Sequence, residues 1–143
     1  MLKDVATQYL NRGSKVFCCL VDASKAFDRV RHDLLFGLLK DRGIPPGILC
    51  YIMDSYARQN VTASWLGEAS KSFSVSNGVR QGGVLSPILF TVYLDVLIKE
   101  LEASGDGCYI GHIFYGALGY ADDLSVLAPT AQGLARMLKI CEK

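Results

Sequence analysis

The sequence predicts an α+β fold: a small antiparallel sheet carrying a hairpin, backed by helices. Three observations predict it. Short apolar runs of strand length lie near both ends of the chain, at 15–22, 113–118 and 124–128. Longer stretches with helical periodicity lie between them, at 30–42 and after Ser86. Strands and helices mix without βαβ regularity, which leaves an α+β layer as the expected architecture.

The chain opens in a helical stretch. Residues 15–22 (KVFCCLVD) then form a continuous apolar run ending in an acid, the mark of a buried strand. Residues 30–42 place Leu34, Leu35, Leu38 and Leu39 on one helical face, with Lys40 and Arg42 in the last turn and Gly43 and Pro45-Pro46 as the stop. A second helix follows, with Ile48, Leu49, Ile52, Met53 and Tyr56 in register. Residues 61–75 alternate like a hairpin around Gly67-Glu68. Ser86 as N-cap and Pro87 at the first position open a third helix with Ile88, Leu89, Val92, Val96 and Leu97 as its apolar face. Asp95 and Lys99 make an exposed i,i+4 pair on it. The last dozen residues begin another helix. Because both chain ends fall in helices, residues 1–143 are expected to be one domain, partial and truncated at both ends.

Of the 143 residues, 50% are hydrophobic, enough for a real core. No apolar run nears the roughly 18 residues of a membrane span, and the N-terminus lacks a signal peptide's apolar core. An intracellular location, nucleus or cytoplasm, is the expectation, with no membrane partner. The five cysteines show no CxxC spacing, so buried, reduced thiols are expected rather than zinc. The net charge of +1 does not advertise nucleic-acid binding, but its distribution is uneven. Residues 1–83 hold 11 Lys/Arg against 7 Asp/Glu, and residues 84–143 hold 4 against 7. A basic half beside an acidic half suits phosphate contacts near a cation site, and random surface placement gives the same pattern.

Tyr120-Ala121-Asp122-Asp123 joins two apolar runs and reads as the turn of a hairpin whose strands lie in a core. One Asp in a turn is ordinary. Two adjacent ones repel in a half-buried setting, and a positive partner is the usual remedy. No Lys or Arg lies between Leu101 and Gln132, so the counter-charge comes from elsewhere in the fold or from a metal ion. Asp22 ends an apolar strand and, taken alone, reads equally well as a helix N-cap. Joined with Asp122 and Asp123, it makes a set that suits magnesium. Such a hard cation takes carboxylate oxygens from at least two segments and keeps its other positions for water and phosphates. Two such ions, roughly 3.5–4 Å apart, clamp both oxygens of an in-line phosphoryl displacement. Gly82 and Gly83 would allow close backbone approach to a ligand, or serve only as turn residues.

Val21-Asp22-Ala23-Ser24-Lys25-Ala26-Phe27-Asp28, Asn77-Gly78-Val79-Arg80-Gln81-Gly82-Gly83-Val84-Leu85-Ser86-Pro87 and Tyr120-Ala121-Asp122-Asp123 stand in that order. Together they resemble the three palm motifs of reverse transcriptases, most closely those of non-LTR (LINE-type) retrotransposons. The tetrapeptide alone is a weak signal; three motifs in order over nearly the whole chain are specific. The resemblance implies a palm with a catalytic hairpin and partial fingers. It implies that Asp22, Asp122 and Asp123 are the catalytic, metal-binding carboxylates, with Asp22 and Asp122 the main ligands of two Mg2+ ions and Mn2+ as an alternative. Phe27 matches the aromatic that stacks under the incoming sugar and blocks a ribose 2′-hydroxyl; its other reading is a core ring beside Val30.

Gln81 and Gly82 match the segment against template and nucleotide, and Lys25 is placed for the triphosphate. Arg80 is either a phosphate contact or solvated. Tyr120 either supports the primer end or packs in a core. The small Ala121 points to the non-LTR, group II intron or telomerase-like branches. The implied function is RNA-templated DNA synthesis from dNTPs on a DNA primer, within a retrotransposon polyprotein. The family's upstream fingers strands, downstream lysine motif, primer grip and thumb have no counterpart in this sequence. Two alternatives remain: a group II intron-type maturase, and a non-catalytic remnant that binds nucleic acid. The sequence leaves the oligomeric state open.

Overall fold

Helix α1 (Leu2–Asn11) leads into strand β1 (Phe17–Asp22), a 3-10 turn (Ala26–Arg29), and helices α2 (His32–Asp41) and α3 (Pro46–Ala57). Four short strands follow: β2 (Asn60–Val61), β3 (Ser64–Trp65), β4 (Glu68–Ala69) and β5 (Phe73–Ser74). After α4 (Ser86–Ala103) come β6 (Tyr109–Ile110), β7 (Ile113–Phe114), β8 (Ala117–Tyr120), β9 (Asp123–Ala128) and α5 (Ala131–Cys141). The structure is a computed structural model that describes every residue except Ala23, Ala121, Asp122 and Lys143. It divides into two compact units, Met1–Ser24 with Leu94–Lys143, and Lys25–Tyr93.

The first unit is built on an antiparallel sheet of order β1-β9-β8. Its register runs from Phe17 opposite Ala128 to Asp22 opposite Asp123, with Tyr120 opposite Asp123 on the other side. Strand alternation sends Leu124, Val126 and Ala128 to one face and Asp123, Ser125 and Leu127 to the other. The first face packs on Leu101 of α4 and Met137 of α5, all of them buried. Each Leu, Val or Met side chain so withdrawn from water stabilises by about 1.5–3 kcal/mol, and the Ala128 methyl by less. On the second face Leu127 packs with Val5 of α1 and Cys108. The Tyr9 hydroxyl fastens α1 there, accepting from the Tyr109 N–H (2.7 Å) and donating to the Tyr109 carbonyl (3.0 Å). That face is open at its other end, where Leu20 is 77% exposed.

The expected strand 113–118 is two strands. Ile113–Phe114 pairs with β6, and Ala117–Tyr120 pairs with β9. The change of partner falls at Tyr115, which donates to the Cys108 carbonyl, and at Gly116, whose carbonyl accepts from Leu127. The backbones cross closely there: a Cβ on Gly116 would stand 2.7 Å from the Gly107 Cα. Helix α5 forms as expected, its first turn capped by Thr130 Oγ1 accepting from the Gly133 N–H (3.0 Å). Arg136 grips the Asp106 carboxylate with two N–H groups, the Nε contact at 2.8 Å.

This grip holds the Asp106 carboxyl below its ordinary value of 3.8, through the Arg136 hydrogen bonds first and its charge second. A lowered folded-state value means that the stabilisation is full above 3.8 and is lost as the pH falls below it. Melting curves across the acid range are expected to show this loss in the wild type and a flatter profile in Asp106→Asn. Identical profiles would refute the contribution.

In the second unit α2 packs on α3, with Leu35, Leu39, Ile52 and Tyr56 buried. The apolar stripes are narrower than the periodicity suggests: Leu34, Ile48 and Met53 are exposed. Helix α2 starts at His32, not at Val30, because Val30 is extended, fully buried, and its carbonyl accepts from the Gly78 N–H (2.7 Å). The hairpin expected at 61–75 forms, β2 with β5 and β3 with β4, and its turn carries Leu66 and Gly67 at positive φ.

Helix α4 departs in its first turn. Ser86 lies inside the helix and is 3% exposed; its hydroxyl donates to the Arg80 carbonyl (2.5 Å) instead of capping. The face formed by Leu89, Phe90 and Val92 is buried, whereas Ile88 and Val96 are exposed. The Asp95–Lys99 pair forms at 3.0 Å. All five cysteines are free, but only Cys108 is buried, and Cys18 and Cys50 are exposed. The short strands bring alternate residues to the surface, which a continuous apolar run does not reveal. No helix among the described residues is long and apolar enough to cross a membrane.

Candidate active site

Expected site residues fall in both units. In the first, the β1–β9 register sets Asp22 directly opposite Asp123, with both side chains on the same face, at the open end, exposed. Residues so paired have Cβ atoms about 4.5–5.5 Å apart, and like charges there are destabilising. Among the described residues neither carboxylate is in an ion pair. Two carboxylates on adjacent strands, with no cationic side chain paired to either among the described residues, have the chemistry that suits a hard divalent cation. Asp122, the other expected main ligand, lies outside the described residues, so two of the three expected carboxylates are seen together. Tyr120 flanks Asp123 from β8 and is 84% exposed, which rules out the core reading of its ring.

In the second unit, Phe27, Arg80, Gln81, Gly82, Gly83, Ser86 and Pro87 line a cleft of about 450 Å³. The half-buried Phe27 ring stacks on Phe90 of α4, centroids 4.6 Å apart and planes inclined by 19°. It is therefore both a packed ring and a cleft wall. The two motif segments are sewn together by backbone: Val79 N–H donates to the Phe27 carbonyl (2.8 Å), and Arg31 bridges Asn77.

Arg80 is neither free nor merely solvated. Its guanidinium lies 5.3 Å from the Tyr56 ring centroid and donates to the Ser55 carbonyl at the end of α3. The Arg80 carbonyl accepts from Gly83 N–H and Ser86 Oγ, which shapes the turn into α4. Lys25 is exposed, with φ 57, and stands outside the cleft lining.

The model of the family described as reverse transcriptase (RNA-dependent DNA polymerase) matches residues 2–143. The chain belongs to the reverse transcriptase family. It is 36% identical over 118 residues to the Pol polyprotein of the type-2 retrotransposable element R2DM of Drosophila melanogaster, covering 82% of this chain and 11% of that protein. It is 32% identical over 127 residues to the Pol polyprotein of a type-1 retrotransposable element R2 of Nasonia vitripennis, covering 89% and 12%. The chain thus spans about a tenth of the length of these relatives. The reverse transcriptase domain also resembles the structure of apo telomerase from Candida tropicalis, with TM-score 0.64 and 16% identity, over all of this chain and 32% of that one. That likeness shows the palm-like α+β fold.

Sequence reasoning named the residues expected at such a site but not the groups that support them. His32 Nε2 lies 2.7 Å from the Gly78 carbonyl, and its ring meets Tyr56 edge-on at 5.1 Å. Phe90 backs Phe27, and Asp28 bonds Gln81. Only Asp28 left a trace in the sequence, as the last residue of the first motif, where nothing gave it a role.

Proposed function

We propose that this chain is the palm-centred part of an RNA-directed DNA polymerase, acting within a non-LTR retrotransposon Pol polyprotein. It adds deoxynucleoside triphosphates to a DNA primer 3′-hydroxyl while copying an RNA template. The observation that carries this reading is the pairing of Asp22 with Asp123 at the open end of a sheet, in a chain of this family. Two bound Mg2+ ions, or Mn2+ in their place, would activate the attacking oxygen and neutralise the leaving one. Asp22 and Asp122 are their principal holders, and Asp123 completes the set. Residues 1–143 act as one partial reverse transcriptase domain.

The remaining roles follow from chemistry and position. Phe27, stiffened by Phe90, walls the sugar side of the nucleotide and leaves no room for a 2′-hydroxyl. Gln81 and Gly82 face nucleotide and template from the cleft lining. Lys25 supplies a cation for the triphosphate, Arg80 fixes the template-side turn, and Tyr120 offers an exposed ring to the primer end. Such a site works mainly by positioning and charge neutralisation. Its substrates place the work inside the cell, in nucleus or cytoplasm.

The test is primer extension on an RNA template with a divalent cation. Phe27→Ala is expected to raise ribonucleotide use relative to deoxynucleotide use by roughly 10–100-fold. Sugar selectivity equal to wild type would remove the gate role.

A further inference from the structure

Asp28 does not line the cleft, yet it touches a residue that does. Gln81 Nε2 donates to Asp28 Oδ1 at 3.1 Å, across 53 positions of sequence. A carboxylate accepts hydrogen bonds only, so it draws the N–H side of the carboxamide and repels its oxygen. The Gln81 oxygen and one N–H are then left for a ligand. The backbone makes this geometry repeatable. Gly78 N–H bonds Val30, Val79 N–H bonds Phe27, and Gly78 itself is pressed against Asp28. Phe27 and Asp28, neighbours on one turn, therefore fix two walls of the cleft: the stacked ring directly, and Gln81 through its amide.

We infer that Asp28 is a positioning residue for nucleotide selection, which sets the orientation of the Gln81 carboxamide in the cleft. This rests on the polymerase reading. Both side chains are exposed, so their bond contributes little to the fold, and its worth lies in pre-orientation. An unoriented Gln81 has to be ordered by each nucleotide that enters, which weakens binding more than it slows chemistry.

The experiment compares wild type, Asp28→Ala and Asp28→Asn in the full-length protein, by steady-state primer extension with dNTPs and rNTPs and by thermal melting. Asp28→Ala is expected to raise the KM for dNTP roughly 3- to 10-fold, the factor of one lost hydrogen bond, with kcat less affected. The ratio of rNTP to dNTP use should change with it, and the melting temperature should stay within about 2 °C. Asp28→Asn keeps an Oδ1 acceptor but adds an N–H2 donor that can hold the Gln81 carboxamide the other way round, so its KM is expected to lie between those of wild type and Asp28→Ala. Unchanged KM and selectivity in Asp28→Ala would overturn the inference while the polymerase reading stands. A KM and selectivity of Asp28→Asn equal to wild type would overturn it too, because the acceptor-only carboxylate would then not be what sets the orientation. Wild-type protein that extends no primer would overturn the polymerase reading and this inference together.

Discussion

Asp22→Asn is expected to lower dNTP incorporation on a primed RNA template by at least about 10²–10³-fold, the scale of removing one group that stabilises transition-state charge. The substitution keeps size and hydrogen-bonding shape, so the β1–β9 pairing survives. What it removes is the negative charge that a divalent cation needs opposite Asp123. The same loss is expected of Asp122→Asn. A second readout does not need activity. In the absence of divalent cations the two facing carboxylates repel, at a cost of about 0.2–1 kcal/mol. Asp22→Asn should therefore melt slightly above wild type without divalent cations, and Mg2+ should raise the wild-type melting temperature more than that of the variant. Wild-type-like extension by Asp22→Asn would sink the metal assignment. Equal Mg2+ shifts in the two proteins would do the same.

Gly78→Ala is expected to destabilise the second unit by about 2–4 kcal/mol. Two causes add. Gly78 has φ +91, a conformation that side-chain-bearing residues rarely adopt, and a Cβ there would stand 2.9 Å from the Asp28 Cα and 3.1 Å from the Phe27 carbonyl oxygen. Those atoms are backbone and cannot swing aside. Relief requires the Asn77–Val79 segment to move away from Phe27–Val30, which breaks the Val79–Phe27 and Gly78–Val30 hydrogen bonds and loosens the cleft. Thermal melting should show a fall on the order of 10 °C, with weaker nucleotide binding. A melting temperature within about 2 °C of wild type would show that the two segments are not clamped as described.

The order of elements was largely legible in the chain. Periodicity 3.6 places α2 and α3, and Gly67 marks the β3–β4 hairpin, whose turn falls at Leu66-Gly67, one residue earlier than read. Where reading failed, a partner outside the local pattern had intervened. Val30 looks like the first turn of a helix until Gly78 claims its carbonyl. Residues 113–118 look like one strand until Cys108 and Leu127 divide them between two partners. Ser86 looks like an N-cap until the Arg80 carbonyl takes its hydroxyl. Each competing bond joins groups that local pattern cannot bring together.

The sequence by itself determined the chemistry: acids at a strand end and a hairpin, an aromatic five residues after the first acid, and a glycine-rich loop before a helix. It determined these because charge, ring and backbone freedom belong to residue types and survive in a one-dimensional string. Only the tertiary structure decided which groups face each other. Strand register, fixed by burying Leu124, Val126 and Ala128 on one face, puts Asp22 opposite Asp123. Stacking on Phe90 makes a wall of Phe27, docking on Tyr56 holds the exposed Arg80 against α3, and a single hydrogen bond gives Asp28 a purpose. Those facts depend on distances between residues far apart in the chain, and such distances exist only once the core has formed.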